Sequence, residues 1–82
     1  MDLSARPLSA TLGFMYHVDP AALRRIRLQH GLSMRALAAL SGVAYSTVKY
    51  AHTGRRRMSD VVAHKIATAL GCRPEDFGRL AV

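Results

Sequence analysis

The segment at residues 33–54, SMRALAALSGVAYSTVKYAHTG, predicts two short helices joined by a tight turn. Apolar side chains in its first half recur at the spacing of one helix face: Met34, Leu37 and Ala38. Ser33 precedes them as an N-terminal cap, and Gly42 ends the first helix, since glycine adopts positive φ at little cost. A second helix is predicted at about 45–53, with Gly54 as its C-terminal stop.

The outward face of the second predicted helix is polar and aromatic. Val48 and Ala51 face inward, and the positions between them carry hydroxyl groups, aromatic rings and one positive charge: Tyr45, Ser46, Thr47, Lys49 and Tyr50. A helix with such a face, crossing a partner helix through a glycine turn, has the properties that a DNA-reading helix-turn-helix requires.

Residues 22–78 resemble the Cro/cI-type (XRE) helix-turn-helix family of phage and bacterial repressors. The matching segments are LRRIRLQHGLS at 23–33, MRALAALSGVAYSTV at 34–48, the helix-ending Gly54, SDVVAHKIATALG at 59–71 and RPEDF at 73–77. The resemblance implies an all-α fold, namely a five-helix lambda-repressor-like helix-turn-helix domain at 19–82. An extended N-terminal arm, flexible or strand-like, would precede it at 1–18.

The resemblance places the family's base-reading positions on Tyr45, Ser46, Lys49 and Tyr50. Lysine can donate to guanine O6 and N7, serine can address several base edges, and tyrosine rings can contact thymine methyls or phosphates. For Lys49 and Ser46 the alternative is a plain solvated face. Tyr50 could instead pack against the following helix.

Phosphate contacts are predicted at five positions around the same helix: Arg35, Thr47, Arg55, Arg56 and Arg57. The three consecutive arginines follow Gly54, where a basic loop can lie along the DNA backbone without regard to sequence. Arg35 would supply charge beside Met34, which occupies a position where the family often has a phosphate-clamping glutamine. A solvated surface is the alternative for the arginine run.

Two positions depart from the family pattern. In the family, the residue at Arg27 pairs with an acid near the end of the recognition helix, where this chain has His52. Either His52 is neutral and hydrogen-bonds elsewhere, or Arg27 is free to reach a phosphate. Ala44 replaces the usual capping serine or threonine, at a cost of about 1 kcal/mol.

The ends of the chain are predicted from shorter patterns. Residues 11–18, TLGFMYHV, alternate as a strand does, but no sheet is predicted for them to join. They would pair with a second copy of the chain or with another protein's strand edge, or lie as an apolar arm against the helical core. Pro74 opens a last short helix, whose apolar residues Phe77 and Leu80 would close the core or form a dimer contact.

The charge of the chain favours a polyanionic partner. Its net charge is +7, and nine of its twelve basic residues, but one of its five acids, lie between Arg24 and Lys65. Cys72 is the single cysteine, which excludes an intrachain disulfide, and packing is its expected role. The four histidines lack partners at metal-ligand spacing, so no metal or other cofactor is predicted.

The sequence therefore predicts a sequence-specific regulator that binds double-stranded DNA. It would act as a homodimer on a two-fold operator, by occupancy, in the cytoplasm of a bacterium or phage-infected host. An antitoxin-like or accessory protein, whose residues 11–18 bind a partner protein, is the alternative. Sequence-independent binding of RNA or nucleoid DNA would need only the basic loop. No catalytic set, membrane span or signal peptide is apparent, so an enzyme or a membrane protein is not expected.

Overall fold

The computed structural model describes residues 15–54 and 57–81. Its described residues form four α-helices: α1 (Pro20–Gln29), α2 (Met34–Ser41), α3 (Tyr45–Thr53) and α4 (Asp60–Ala69). They also form three short strands: β1 (Met15–Val18), β2 (Arg57–Ser59) and β3 (Gly78–Ala81). A single 3₁₀ turn, Pro74–Asp76, lies between α4 and β3.

Side-chain caps start three of the helices where the sequence predicts them. The Asp19 carboxylate accepts from the Ala21 amide at 3.1 Å and opens α1. Ser33 and Ser59 cap α2 and α4 in the same way, with their hydroxyls 3.0 and 3.2 Å from first-turn amides. At the start of α3, Ala44 provides no side-chain cap, as the sequence indicates.

The helices enclose one apolar core. Its largest fully buried side chains come from every helix and from the segment after the 3₁₀ turn: Leu23, Leu37, Val48, Ile66, Leu70 and Phe77. Val48 and Ala51 of α3 are buried, so the inward side of this helix is fixed by the core and its opposite side is presented to solvent.

The strand predicted in the N-terminal arm is confirmed for Met15–Val18, and residues 11–14 lie outside the described part of the chain. The expectation that it finds no sheet in its own chain is wrong. β1 is the middle strand of an antiparallel sheet of order β2-β1-β3, in which Tyr16 is opposite Met58 on one side and Leu80 on the other. Tyr16 and Met58 are buried, so the sheet closes one end of the core.

The all-α, five-helix prediction is also wrong, because the last predicted helix is a three-residue 3₁₀ turn followed by β3. Phe77 closes the core, whereas Leu80 lies in β3 and stays 44% exposed. A Cβ at Gly78 would lie 2.7 Å from the His17 carbonyl oxygen, so this glycine allows the close approach of β3 to β1. Strand pairing thus replaces helical continuation after Phe77.

Both the backbone conformation and the close packing at Gly54 favour glycine, so its replacement tests how α3 ends. Its φ is +74°, and a Cβ there would lie 2.9 Å from Cγ of Pro20, the first residue of α1. Gly42 has φ +72° with nothing within 4 Å of its Cβ position, and so is the matched control.

We expect Gly42→Ala to lower the free energy of unfolding by about 1–2 kcal/mol. Gly54→Ala should cost about 1 kcal/mol more because it adds overpacking. Urea denaturation measures both, and equal losses would contradict the close packing of Gly54 on Pro20.

Candidate nucleic-acid interface

The outward face of α3 carries the residues predicted to read bases. Ser46, Lys49 and Tyr50 are exposed, whereas Tyr45 is half-buried and packs against the edge of the core. Tyr50 keeps 45% of its surface accessible, so it is not a core residue. Three of the four predicted positions are therefore exposed on one side of a helix whose other side is fixed by the core.

Tyr45 is joined to a predicted phosphate-binding residue. The guanidinium carbon of Arg35, at the start of α2, lies 4.3 Å from the centre of the Tyr45 ring. A cation–π contact at an exposed site contributes about 0.5–1 kcal/mol, enough to bias the orientation of both side chains. The structure thus brings the first turns of α2 and α3 together through Arg35 and Tyr45.

Two of the other predicted phosphate-binding residues lie between α3 and the sheet. Thr47 is half-buried, and Arg57 is an exposed residue of β2 opposite His17. Thr47 and Arg57 line one shallow groove between α3 and the sheet, together with Met58 and Ser59. Arg55 and Arg56 lie outside the described residues.

Arg27 and His52 link α1 to the last turn of α3. Arg27 Nε donates to His52 Nε2 at 2.9 Å, and the same guanidinium donates through Nη1 to the Leu32 carbonyl oxygen at 2.7 Å. Arg27 is only 9% exposed. Of the two alternatives that the sequence leaves open, a free Arg27 is excluded, and His52 bonds to Arg27 itself as well as to its own helix.

The second nitrogen of His52 fixes the state of its ring. His52 Nδ1 lies 2.9 Å from the Val48 carbonyl oxygen, which can only accept, so Nδ1 carries the hydrogen. Nε2 must then be the unprotonated nitrogen that accepts from Arg27. Burial is the largest effect and lowers the pKa of His52; the Val48 hydrogen bond raises it by less, and the positive charges of Arg27 and Arg24 lower it again, so the net shift is downward. His52 is therefore the neutral Nδ1–H tautomer.

The chain is similar to known helix-turn-helix proteins. A helix-turn-helix family model matches residues 23–77, which is more than half of the chain. The chain belongs to the helix-turn-helix family. The restriction-modification controller protein C.AhdI from Aeromonas hydrophila is 40% identical, with a TM-score of 0.66 over 70% of this chain and 86% of that one. The clp gene regulator ClgR from Corynebacterium glutamicum is 32% identical, with a TM-score of 0.63 over 70% of this chain and 61% of that one. No curated protein matches the sequence.

The family and these relatives are regulators, and as a member of the family this helix-turn-helix protein is a DNA-binding transcription regulator. The predicted resemblance to the XRE family is thereby confirmed. Within the family the α2–turn–α3 unit, with its left-handed Gly42, is the helix-turn-helix itself.

Negative charge is kept off the two helices of the helix-turn-helix. Neither α2 nor α3 contains an acidic residue. Asp60 is buried at the start of α4, beside His64, while Asp19, Glu75 and Asp76 line a groove near the 3₁₀ turn and β3. Carboxylates that would repel a phosphate backbone therefore do not interrupt the face formed by α2 and α3.

The remaining polar groups show no second site in the described part of the chain. No three of the described His, Cys, Asp and Glu residues lie together in a way that could hold a metal ion. Cys72 is half-buried, and burial together with the nearby Asp76 raises the pKa of its thiol, which keeps the sulfur in its less reactive form. No helix of residues 15–54 and 57–81 has the length and apolar character to cross a bilayer.

Proposed function

We propose that this regulator reads the sequence of double-stranded DNA by placing the outward face of α3 in the major groove. The exposed row of Ser46, Lys49 and Tyr50, opposite the buried Val48 and Ala51, is the observation that supports the proposal most strongly. A major groove about 12 Å wide admits one α-helix, and each base pair there presents a distinct pattern of donors and acceptors.

Each side chain of this face has a definite chemistry for base recognition. Lys49 is a positive donor suited to guanine O6 and N7, and the Ser46 hydroxyl can donate or accept. Tyr45 and Tyr50 offer ring edges to thymine methyls and hydroxyls to bases or phosphates. Because Arg35 lies over the Tyr45 ring, we assign these two residues to one contact point at the start of α3.

Phosphate binding is proposed on both sides of α3. Arg35 and Thr47 would contact the backbone nearest the helix-turn-helix, and Arg57 would extend the contact along the sheet edge with its sequence neighbours Arg55 and Arg56. Such contacts orient the protein on the duplex and supply affinity, but they carry no sequence information.

We further propose a homodimer on a two-fold operator that regulates by occupancy, without enzymatic activity. Half-sites one helical turn apart would then match the symmetry of the dimer. Both edges of β1 are already paired with β2 and β3, so Met15–Val18 offers no free backbone edge to a second copy or to a partner protein. This pairing favours the regulator over the alternative in which the N-terminal strand grips another protein.

Replacing the three consecutive arginines tests the phosphate contacts. We expect Arg55→Ala, Arg56→Ala and Arg57→Ala together to weaken binding to a selected operator and to a scrambled duplex by the same factor. The slope of log affinity against log salt should also become shallower by up to about three, since each lost contact releases about 0.9 fewer counterions. Fluorescence anisotropy at several salt concentrations measures both quantities.

Arg73→Ala is the control for this experiment. Arg73 is an exposed arginine just before the 3₁₀ turn, in the segment that carries Glu75 and Asp76, so its replacement should leave the salt slope nearly unchanged. A triple variant that loses discrimination between operator and scrambled duplex, while keeping the original slope, would reject the assignment of these arginines to the backbone.

A further inference from the structure

A hydrogen bond between Arg27 and His52 joins α1 to α3, the proposed recognition helix. His52 lies in the last turn of α3, and Arg27 lies in α1, the helix against which α3 packs. The Leu32 carbonyl oxygen holds the same guanidinium from its other side at 2.7 Å, so Arg27 has a fixed position. In addition to the apolar packing of α3, a hydrogen bond of 2.9 Å therefore joins the His52 ring to α1.

This bond requires an unprotonated Nε2. Arginine has no acceptor and stays charged throughout the pH range in which proteins fold, so Arg27 can only donate. Since Nδ1 already carries the hydrogen that faces Val48, an added proton must go to Nε2, the nitrogen that accepts from Arg27. Protonation would then remove the acceptor and place two positive groups against each other.

Nothing among the described neighbours compensates for that charge. From α1, both Arg27 and Arg24 act on His52, and no carboxylate is among the groups that shift its pKa. The single charged residue of α2 is Arg35, which lies over Tyr45, and α3 itself contributes Lys49. The two charged groups that act on His52, Arg27 and Arg24, are positive. Arg35 of α2 and Lys49 of α3 are positive as well.

We propose that His52 is a positioning residue for α3. The neutral His52 side chain holds the recognition helix on α1, and the protonated side chain releases it, so that sequence-specific DNA binding weakens in acid. The inference rests on the proposed function, since it assumes that α3 is the DNA-reading element. It deepens that function by adding a regulating ligand, the proton, at a site separate from the base-reading face.

The same linkage applies to folding. The pKa of His52 in the folded protein is below its ordinary value of 6.5, so the unfolded chain binds this proton more tightly. The contribution of the pair to stability is therefore complete above pH 6.5 and is lost as the pH falls from there through the lower pKa of the folded state.

His52→Gln tests the proposal, because glutamine keeps an oxygen that can accept from Arg27 but does not titrate. Affinity for a selected operator is measured from pH 8 to pH 5 for both proteins at constant ionic strength. We expect the ratio of wild-type to variant affinity to fall roughly fivefold or more across this range, as for other coupled binding equilibria. His30→Gln is the control, since His30 is an exposed histidine bonded to the Ile26 carbonyl within α1, and it should follow the wild type.

His52→Glu gives the rescue experiment, since a carboxylate would pair with Arg27 and remain charged above about pH 5. This variant should bind the operator with little change between pH 8 and pH 6. In the wild type, nuclear magnetic resonance of the imidazole should show the Nδ1–H tautomer and a midpoint below 6.5. Because these spectra are taken on the wild type, they test the protonation state of His52 even if a variant folds poorly.

Failure of the inference can be separated from failure of the proposed function. A wild-type protein that ignores every duplex at all pH values would reject DNA reading, and thermal unfolding against pH would still test the pair. Wild type and His52→Gln with parallel pH profiles, in binding and in unfolding, would overturn the role of His52 and leave DNA reading intact. An imidazole midpoint above 6.5 would overturn it as well.

Discussion

Lys49→Ala is expected to remove most of the preference of this protein for its operator over random duplex. Lys49 is an exposed side chain on the outward face of α3. It is the only lysine or arginine of that helix. A good donor pair to guanine O6 and N7 discriminates against the wrong base by about 1–3 kcal/mol, which corresponds to roughly a five- to 150-fold affinity ratio. The measurement is competition between a duplex selected from a random pool and a scrambled duplex of the same composition.

Lys65→Ala is the matched control for Lys49→Ala. Lys65 is also an exposed lysine, but it lies on α4, outside the helix-turn-helix. Its loss should lower the affinity for both duplexes slightly and equally, because it removes one unit of net charge. Equal effects of the two variants on both duplexes would mean that Lys49 acts only through charge, and the base-reading assignment would be wrong.

Phe77→Ala should have the largest effect on stability. Phe77 is 1% exposed, and its backbone carbonyl accepts from the Asp19 amide at 2.8 Å, so the residue fixes the segment that leads into β3. Truncation of a buried phenylalanine costs about 3–5 kcal/mol. Domains of this size have total stabilities of only about 5–15 kcal/mol, so the variant should be partly unfolded at 37 °C. Chemical denaturation followed by circular dichroism gives the loss.

Leu80→Ala provides the comparison for Phe77→Ala. Both residues are apolar and three positions apart, but Leu80 is 44% exposed in β3. Its replacement should cost less than about 1 kcal/mol, as is usual for exposed positions away from special features. A short helix continuing past the 3₁₀ turn would bury both side chains to similar degrees. Similar losses would therefore favour that helix and contradict the strand.

The sequence predicts the helices well because their signals are local. Ser33 and Ser59 are caps within three residues of the amides that they bind, and Gly42 and Gly54 adopt positive φ directly after the helices that they end. The apolar spacing around Val48 and Ala51 likewise identifies the buried side of α3, and with it the exposed side. Each of these features is decided by neighbours within about one helical turn.

The sheet could not be predicted in the same way, because its strands are short and distant along the chain. β2 has three residues and β3 has four, too few to show an alternating pattern. Their pairing with β1 depends on contacts between segments about 40 and 60 residues apart. Gly78, which lets β3 approach His17, is a signal that could have pointed to a strand rather than a helix.

The Arg27–His52 bond shows a similar limit at the site. The sequence identifies His52 as a departure from the family pattern, but its tautomer is set by the Val48 carbonyl and by a guanidinium 25 residues away. Likewise, the contact of Arg35 with Tyr45 depends on how the first turns of α2 and α3 meet. Both contacts are consequences of packing that local patterns do not contain.

The most direct test of the claim that α3 reads DNA is a titration of the isotopically labelled protein with its selected duplex, followed by nuclear magnetic resonance. We expect the largest chemical-shift changes on the outward residues of α3, which are Tyr45, Ser46, Lys49 and Tyr50, and smaller changes at Arg35 and Arg57. Largest changes at β3 and the 3₁₀ turn, with the resonances of α3 unmoved, would contradict it.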